Sequence, residues 1–419
     1  MLEETNRLEA SYESINLDFM KIGILREEKF PRDSRVPLTP SQCKFLNERY
    51  PGVNVVVQPS KYRCFTNAEF DYHDIPLVED LSDCDVLLGV KEVPAELLLP
   101  GKAYMFFSHT IKKQPQNKKM MHTIIERKVR MIDYECLKDS RGKRIIAFGR
   151  WAGIVGAYHA IRMIGFRTSR FRLRQMIDCL NFAEAQKELE KLDMPPWKIV
   201  LTGTGRVSEG AAFMLDVVGI KKVSPYNFCY NEFDEPVYTQ LTSADMFYKD
   251  GQDTFNSADY HAHPQQYKSS FYPFTKAADV MINGIYWDKR MPVFFSKETM
   301  KEKDFRIKTI SDITCDIAPE SSIPSTLYAS SIADPYYGYN PQTGELMQTF
   351  LSESIDVMAI DNLPNELPRD ASEDFGNMIV NRIVPELLLG EMSPVIKLAT
   401  IAEDGKLGAP FQYLSDYAY

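Results

Sequence analysis

The sequence lacks the features of a membrane protein or of a metal-stabilised one. Its 419 residues contain no run that approaches the roughly 18 apolar residues of a membrane-spanning helix. Its seven cysteines form no Cys-X-X-Cys pair and show no regular Cys/His spacing, so no metal site is expected. An odd, dispersed set of cysteines in a chain of this length predicts reduced thiols and a cytoplasmic protein.

The chain also lacks an excess of positive charge. Its 49 basic and 58 acidic residues give a net charge of −9, which argues against nucleic acid as the main partner. A locally basic pocket for an anionic small molecule is compatible with that charge. Residues 1–19 resemble neither a secretory signal nor an Arg-rich transit peptide, so they are expected to form a mobile extension. The oligomeric state stays open.

From Met20 onwards the chain alternates strand-like and helical segments. Strands are predicted at 21–25, 53–57, 85–90, 103–107 and 129–134, and later at 278–282, 308–315 and 355–360. This alternation predicts an α/β fold with parallel sheets whose faces are covered by helices, and the length predicts two or three domains. The segment 149–164 is expected to be a tightly packed helix that links two domains. The segment 226–270, polar and aromatic, is expected to be mostly loop.

Titratable residues follow three of the predicted strands. Lys91 and Glu92 follow one, His109 follows the next, and Glu135 follows a third. The carboxyl ends of parallel strands meet at one sheet edge, where α/β proteins bind ligands. Taken singly, each residue has an ordinary explanation: a solvated Lys–Glu pair, a buried histidine, or a partner for Arg144. From position alone, the functional and the structural interpretations both stay open.

A glycine-rich loop forms the second signal. The sequence TGTGRVSEG at 202–210 follows an apolar strand and begins an amphipathic helix, which is the context of a dinucleotide-binding loop. Gly203 permits a tight turn, Gly205 lets a pyrophosphate approach the backbone, and the helix N-terminus favours its negative charge. Ser208 stands where a third glycine is usual, and this weakens the match.

The acid that would bind an NAD ribose is missing from its expected place. It should end the next strand along the chain, but Lys221 and Lys222 stand there. This favours NADP over NAD. An atypical ribose contact, or two lysines that simply face water, would be equally compatible with the sequence.

Several phrases in the sequence resemble the alanine dehydrogenase and transhydrogenase superfamily. They are LREEKFPRDSRVPLTP (25–40), GVKEVP (89–94), FFSHTIK (106–112), MIDYECL (131–137) and RIIAFGRWAGIVGA (144–157). With TGTGRVSEGA, INGIYW (282–287) and IDNLP (360–364), the chain looks most like the saccharopine dehydrogenase branch. Within that branch it is most similar to the reductase half of aminoadipic semialdehyde synthase. The resemblance covers about residues 20 to 415.

The resemblance implies two Rossmann-like domains whose parallel sheets flank a central cleft. Residues 20–148 together with 323–419 would form the substrate domain, and residues 149–322 the dinucleotide-binding domain. The implied reaction joins the ε-amine of L-lysine to the carbonyl of 2-oxoglutarate. Hydride transfer from NADP or NAD, with NADP favoured, then gives saccharopine. Since the chain stops at Tyr419 without a second catalytic domain, a single activity is expected.

The resemblance also implies roles for individual residues. Lys91 and His109 match the acid/base pair. The matches to substrate-binding residues are Arg35, Glu92, Lys112, Glu135 and Arg144, and the matches to cofactor-binding residues are Gly203, Gly205, Arg206, Asn283, Gly284 and Asp316. A planar guanidinium pairs with a carboxylate through two hydrogen bonds, and saccharopine carries three carboxylates.

Two alternatives of different kinds stay open. An alanine or opine dehydrogenase acting on another amino or keto acid would hold fewer carboxylates in its pocket. A non-catalytic dinucleotide-binding scaffold would be expected to have lost the acid/base pair, whereas Lys91 and His109 are both present.

Overall fold

The computed structural model describes residues 19–190 and 192–419, and the chain divides into two compact units. Unit 1 holds the residues up to Ala147 and those from Pro368 onwards, and unit 2 is Phe148–Leu367. The extension predicted at residues 1–19 lies, except for Phe19, outside the described residues. All seven cysteines are within the described residues, and their thiols are free.

The first segment of unit 1 alternates strands and helices. The strands are β1 (Met20–Ile24), β2 (Val53–Val57), β3 (Val86–Leu88), β4 (Ala103–Phe106) and β5 (Arg130–Asp133), and the helices are α1 (Pro40–Arg49), α2 (Asn67–Tyr72) and α3 (Lys118–Glu126). The capping box predicted before α1 is present: Thr39 accepts the backbone N–H of Gln42, whose side chain accepts the backbone N–H of Thr39. The sequence locates the five strands to within a few residues, whereas α2 was not predicted.

Unit 2 begins with helix α4 (Gly149–Thr168), the long helix predicted at 149–164. Its other helices are α5 (Phe182–Lys187), α6 (Arg206–Val218), α7 (Pro225–Tyr230), α8 (Ser243–Met246), α9 (Ser257–Ala262), α10 (Tyr272–Ala277) and α11 (Lys297–Met300). Its strands are β6 (Lys198–Thr202), β7 (Lys221–Lys222), β8 (Val237–Leu241), β9 (Phe247–Tyr248), β10 (Lys268–Ser269), β11 (Val280–Asn283), β12 (Thr309–Asp312), β13 (Tyr336–Tyr339), β14 (Leu346–Met347) and β15 (Ile355–Met358).

The main sheet of unit 2 has the order β14-β13-β15-β12-β11-β6-β8-β7, and β9 pairs with β10 apart from it. Two expectations change here. The segment 226–270 is not mostly loop, because it contains β8, which pairs in parallel with β6 along its whole length. Unit 2 also ends at Leu367 rather than at residue 322, because β15 pairs with β12 and β13 pairs with β15 in this same sheet.

The chain returns to unit 1 at Pro368. Helix α12 (Pro368–Met378), a π-helical turn (Ile379–Ile383), α13 (Val384–Leu388) and α14 (Pro394–Ala399) precede β16 (Thr400–Glu403), β17 (Lys406–Leu407) and α15 (Ser415–Ala418). The sheet order of unit 1 is β17-β16-β5-β4-β3-β1-β2, with β1 to β5 parallel and β16 antiparallel to β5. The carboxyl ends of β1, β3, β4 and β5 therefore lie along one edge. No helix among the described residues is long and apolar enough to cross a membrane.

Helices α4 and α6 pack against each other through glycines. A methyl group added at Gly210 would stand 2.0 Å from the carbonyl oxygen of Arg150, and one added at Gly153 would stand 1.8 Å from that of Val207. Both distances are far inside van der Waals contact, so a side chain at either position forces the helices apart. The small residues predicted in α4 thus set how closely it approaches α6.

Gly210→Ala should therefore destabilise unit 2, although alanine in an open helix position usually stabilises. We expect a loss of about 1–3 kcal/mol in the free energy of unfolding, as for other overpacked cores, measured by denaturant titration. Glu209→Ala, at the exposed neighbouring position, is the control and should change stability much less. A gain of stability in Gly210→Ala would contradict this packing.

Candidate active site

The structure brings the predicted catalytic residues of unit 1 together at one sheet edge. Lys91 and Glu92 follow β3, His109 follows β4 and Glu135 follows β5. His109 Nδ1 lies 2.7 Å from Glu92 Oε1. The strands share the edge that their alternation predicts, and at this edge Glu92 contacts His109 directly.

Glu92 is the centre of this cluster. Its side chain is only 8% exposed, and it receives hydrogen bonds from Lys29 Nζ at 2.5 Å and Asn117 Nδ2 at 3.2 Å in addition to His109. Burial opposes ionisation, but the hydrogen bond and charge of His109, followed by those of Lys29, lower the pKa of Glu92 to about 2. A permanent carboxylate thus holds His109 through Nδ1 and leaves Nε2 as the ring nitrogen that can act on a substrate.

A second buried carboxylate holds the backbone of the same loop. Asp133 accepts the backbone N–H of Ser108 at 3.0 Å and that of Glu135 at 2.6 Å, and it also bonds the Ser108 hydroxyl. Burial raises the pKa of Asp133 to about 6. His109 itself has φ of +50°, in the left-handed region that costs a non-glycine residue about 1 kcal/mol or more. The bonds to Asp133 keep the loop in this strained conformation.

Lys91 lies beside a buried ion pair. Arg35 donates to Asp33 through Nε at 2.9 Å and through Nη2 at 2.5 Å, and both side chains are at most 3% exposed. Burial, followed by the charge of Arg35, lowers the pKa of Lys91. Burial also opposes ionisation of Asp33, but the charge and hydrogen bonds of Arg35 prevail and lower its pKa to about 2. A lysine with a lowered pKa exchanges protons more readily near neutral pH.

Glu27, which follows β1, supports the backbone of Lys91. Its carboxyl accepts the N–H of Val90 at 2.7 Å and that of Lys91 at 2.9 Å. Burial, followed by the charge of Asp33, raises the pKa of Glu27 to about 8. The sequence did not single out Glu27, Asp33, Asn117 or Asp133, although Glu27 and Asp33 stand inside the first phrase that resembles the superfamily.

Two further substrate candidates, Lys112 and Arg144, follow β4 and β5 along the chain. Arg144 lies 3.5 Å from Glu135, donates through Nε to the carbonyl of Ile146 at 3.0 Å, and stands over the Phe107 ring at 5.3 Å. Lys112 is exposed, three residues beyond His109.

The glycine-rich loop of unit 2 has the geometry of an anion site. Gly203 follows β6 with φ of +89°, where a β-carbon would lie 2.9 Å from the Ser208 hydroxyl. Gly205 is the N-cap of α6 and has no side chain to cap it, and a β-carbon there would meet nothing within 4 Å. An uncapped helix N-terminus with an open glycine before it fits a pyrophosphate. Arg206 occupies the first position of α6.

Ser208 explains the missing third glycine. Its hydroxyl donates to the carbonyl of Thr202 at 2.8 Å and approaches that of Gly284 at 3.1 Å. The serine thus joins the glycine-rich loop to the end of β11, and its side chain fits because Gly284 has none: a β-carbon on Gly284 would lie 2.8 Å from the same hydroxyl.

Two other cofactor candidates differ in what their side chains do. Asn283 is fully buried and bonds Thr202 Oγ1 at 2.7 Å, Asp312 Oδ1 at 2.8 Å and Ser322 Oγ at 3.0 Å. Its amide therefore links β6, β11 and β12 inside unit 2, and any contact with a ligand would have to come from neighbouring backbone. Asp316 lies in the loop after β12, partly buried.

The chain resembles known proteins both in its first segment and over nearly its whole length. Residues 23–155 match the family described as alanine dehydrogenase/PNT, N-terminal domain. The solved structure of an L-alanine dehydrogenase is similar over 96% of this chain and 100% of its own, with a TM-score of 0.65 and 15% identity. A transhydrogenase from Sinorhizobium meliloti is similar over 92% of this chain and 98% of its own, with a TM-score of 0.55 and 13% identity. These likenesses confirm the predicted α/β fold with Rossmann-like domains.

Sequence relatives support the predicted branch. Alpha-aminoadipic semialdehyde synthase of Arabidopsis thaliana is 30% identical across 94% of this chain and 41% of its own length, and the mitochondrial enzyme of Mus musculus is 28% identical across 94% and 47%. The chain thus spans less than half the length of these synthases. Saccharopine dehydrogenase [NAD(+), L-lysine-forming] of Emericella nidulans is 25% identical across 85% of this chain and 89% of its own. The resemblance predicted from the sequence phrases is confirmed.

Asp33→Asn should destabilise unit 1, because it removes the charge facing the buried Arg35. We expect a loss of about 3–5 kcal/mol near neutral pH, measured by denaturant unfolding. Asp33 has a pKa lowered from its ordinary 3.8, so its contribution is present above that pH and is lost as the pH falls towards 2. The difference between variant and wild type should shrink over that window.

The control is Asp83→Asn, at the exposed Lys21–Asp83 pair. Solvent screens that pair, so little change is expected. Equal effects from the buried and the exposed substitutions would contradict a structural role for the Asp33–Arg35 pair.

Proposed function

We propose that this chain is an NAD(P)-dependent oxidoreductase that interconverts L-lysine plus 2-oxoglutarate with saccharopine. The observation that carries the proposal is the contact of His109 with Glu92, next to Lys91 and the buried Arg35. These residues lie in the segment 23–155, which matches the alanine dehydrogenase/PNT N-terminal domain. Relatives named for saccharopine and aminoadipic semialdehyde chemistry support the choice of substrates.

The cationic side chains suit a substrate with several carboxylates. Arg35 is buried in its pair with Asp33 and lies close enough to Lys91 to lower the pKa of that lysine, so it would contribute positive charge beside the proposed substrate site. Arg144, 3.5 Å from Glu135, and the exposed Lys112 would supply the other positive charges. Glu135 would then be released to receive an amine of the substrate. The set favours saccharopine over the smaller substrates of an alanine dehydrogenase.

Imine formation requires proton transfers that His109 and Lys91 are suited to perform. Attack of the lysine ε-amine on the keto carbon gives a carbinolamine, whose hydroxyl must be protonated before it leaves as water. His109 Nε2 would deliver that proton, because Glu92 holds the ring through Nδ1 and remains ionised. Lys91, with its lowered pKa, would accept the proton released by the attacking amine. A bound reduced nicotinamide would supply the hydride that turns the imine into the secondary amine of saccharopine.

The glycine-rich loop would hold that nucleotide. Gly203 and Gly205 leave the backbone open at the N-terminus of α6, which suits the pyrophosphate. Arg206 and the Gly284 backbone stand at the same loop. The central cleft and the cytoplasmic location stay predictions.

An absorbance assay at the reduced-nicotinamide band tests the proposal directly. With NADPH or NADH, oxidation should require lysine and 2-oxoglutarate together, and saccharopine should drive the reverse reaction with the oxidised cofactor. Each organic substrate alone is the control. Turnover with pyruvate plus ammonia but not with lysine would favour the alanine dehydrogenase alternative, and nucleotide binding without any turnover would favour the scaffold.

His109→Gln should lower turnover by a factor of about 100 or more, since general acid–base catalysis contributes roughly 10²–10⁴. The nucleotide dissociation constant should change little, because the candidate nucleotide loop lies in unit 2. His122→Gln, an exposed histidine on α3, is the matched control and should behave as wild type. Unchanged turnover in His109→Gln would remove this residue from the mechanism.

A further inference from the structure

The strand order of unit 2 indicates which strand would carry the residue that contacts a dinucleotide ribose: β8 lies next to β6, and β7 does not. In sheets of this type the residue that contacts the adenosine ribose stands at the end of the strand paired with the glycine-loop strand. Here the partner of β6 is β8, register Lys198↔Val237 to Thr202↔Leu241, while β7 lies beyond it at the end of the sheet. The ribose contact should therefore be sought at the end of β8 and not directly after β7.

A chain of hydrogen bonds connects that place to a lysine. Gln240, near the end of β8, donates through Nε2 to the carbonyl of Gly203 in the glycine-rich loop at 3.1 Å. Lys222 on β7 donates through Nζ to Gln240 Oε1 at 2.7 Å. Although β7 is the outermost strand, Lys222 thus contacts Gln240, the side chain that bonds the glycine-rich loop.

The charges around this chain favour an anion. Lys221 pairs with Glu235 at 3.1 Å, whereas no carboxylate lies within ion-pair distance of the Lys222 ammonium in the part of the chain that the structure describes. Asp245, the acid that follows β8, takes part in the capping box of α8. Its Oδ2 accepts the backbone N–H of Thr242 at 2.7 Å and the Thr242 hydroxyl at 2.6 Å. The exposed ammonium of Lys222 therefore lies near the glycine-rich loop without a carboxylate partner among the described residues, whereas the carboxylate of Asp245 is bound to the N-terminus of α8.

We propose that Lys222, positioned by Gln240 against the glycine-rich loop, binds the 2′-phosphate of NADP(H) and sets a preference for NADP(H) over NAD(H). The proposal rests on the proposed nucleotide-dependent function and specifies its cofactor. Gln240 is a positioning residue, since its amide oxygen directs the ammonium and its amide nitrogen is bound to Gly203.

The test measures nucleotide binding without any substrate. Calorimetric titration should show that wild type binds 2′,5′-ADP at least tenfold more tightly than 5′-AMP, which corresponds to about 1.4 kcal/mol. Lys222→Ala should weaken 2′,5′-ADP at least tenfold and leave 5′-AMP within about twofold, because only the former carries the 2′-phosphate. Gln240→Ala should shift affinities in the same direction, by a smaller factor.

Lys221→Ala is the matched control. This adjacent lysine is paired with Glu235, so the variant should keep the affinity of wild type for both nucleotides. An equal loss in both lysine variants would show a general charge effect and overturn the assignment.

Other outcomes separate this inference from the function on which it rests. If wild type binds 5′-AMP as tightly as 2′,5′-ADP, and lysine-dependent turnover proceeds with NADH, the function stands and the cofactor assignment falls. If Asp245→Asn then weakens 5′-AMP, Asp245 is the ribose ligand. If neither NADPH nor NADH binds the protein, the proposed function fails, and this inference fails with it.

Discussion

The candidate active site depends on the hydrogen bonds and ion pairs that surround the buried, ionised carboxylate of Glu92. A buried charge is costly unless hydrogen bonds and opposite charges surround it, and Lys29, Asn117 and His109 supply them. One of these bonds joins Glu92 to His109 Nδ1 and fixes the histidine ring. The need to stabilise the buried carboxylate therefore also determines that Nε2 would face a substrate. Any change that removes this charge alters both the stability of the edge and its acid/base chemistry.

Other buried carboxylates extend the same logic along the edge. Asp133 orders the loop after β4, Glu27 orders the loop after β3, and Asp33 balances Arg35. Parallel strands place these loops side by side, and each loop is held by an acid contributed from another segment. The result is a preorganised set of cations and proton carriers, which is the usual condition for efficient catalysis at a fixed site.

Unit 2 meets a different constraint, the close approach of backbone to backbone. Gly203, Gly284 and the glycines between α4 and α6 leave no room for side chains, and Ser208 uses its hydroxyl to join the two loops. A third glycine is usual where a helix must lie against the strand. Here the glycine at 284 provides the space instead, so the serine is compatible with the loop geometry.

Local signals determined much of this protein from sequence alone. Apolar runs located most strands of both sheets, the Thr39 capping box located α1, and the positions of Lys91 and His109 after strands placed them at one edge. Strand order was beyond such signals: β8 lies in a polar, aromatic segment, and only its pairing with β6 showed that it, not β7, adjoins the glycine-rich loop. The end of unit 2 at Leu367 and the acids that hold the catalytic loops were likewise decided by tertiary structure. Periodicity reports whether a segment is buried, whereas hydrogen-bond partners far apart in the chain decide what it is buried against.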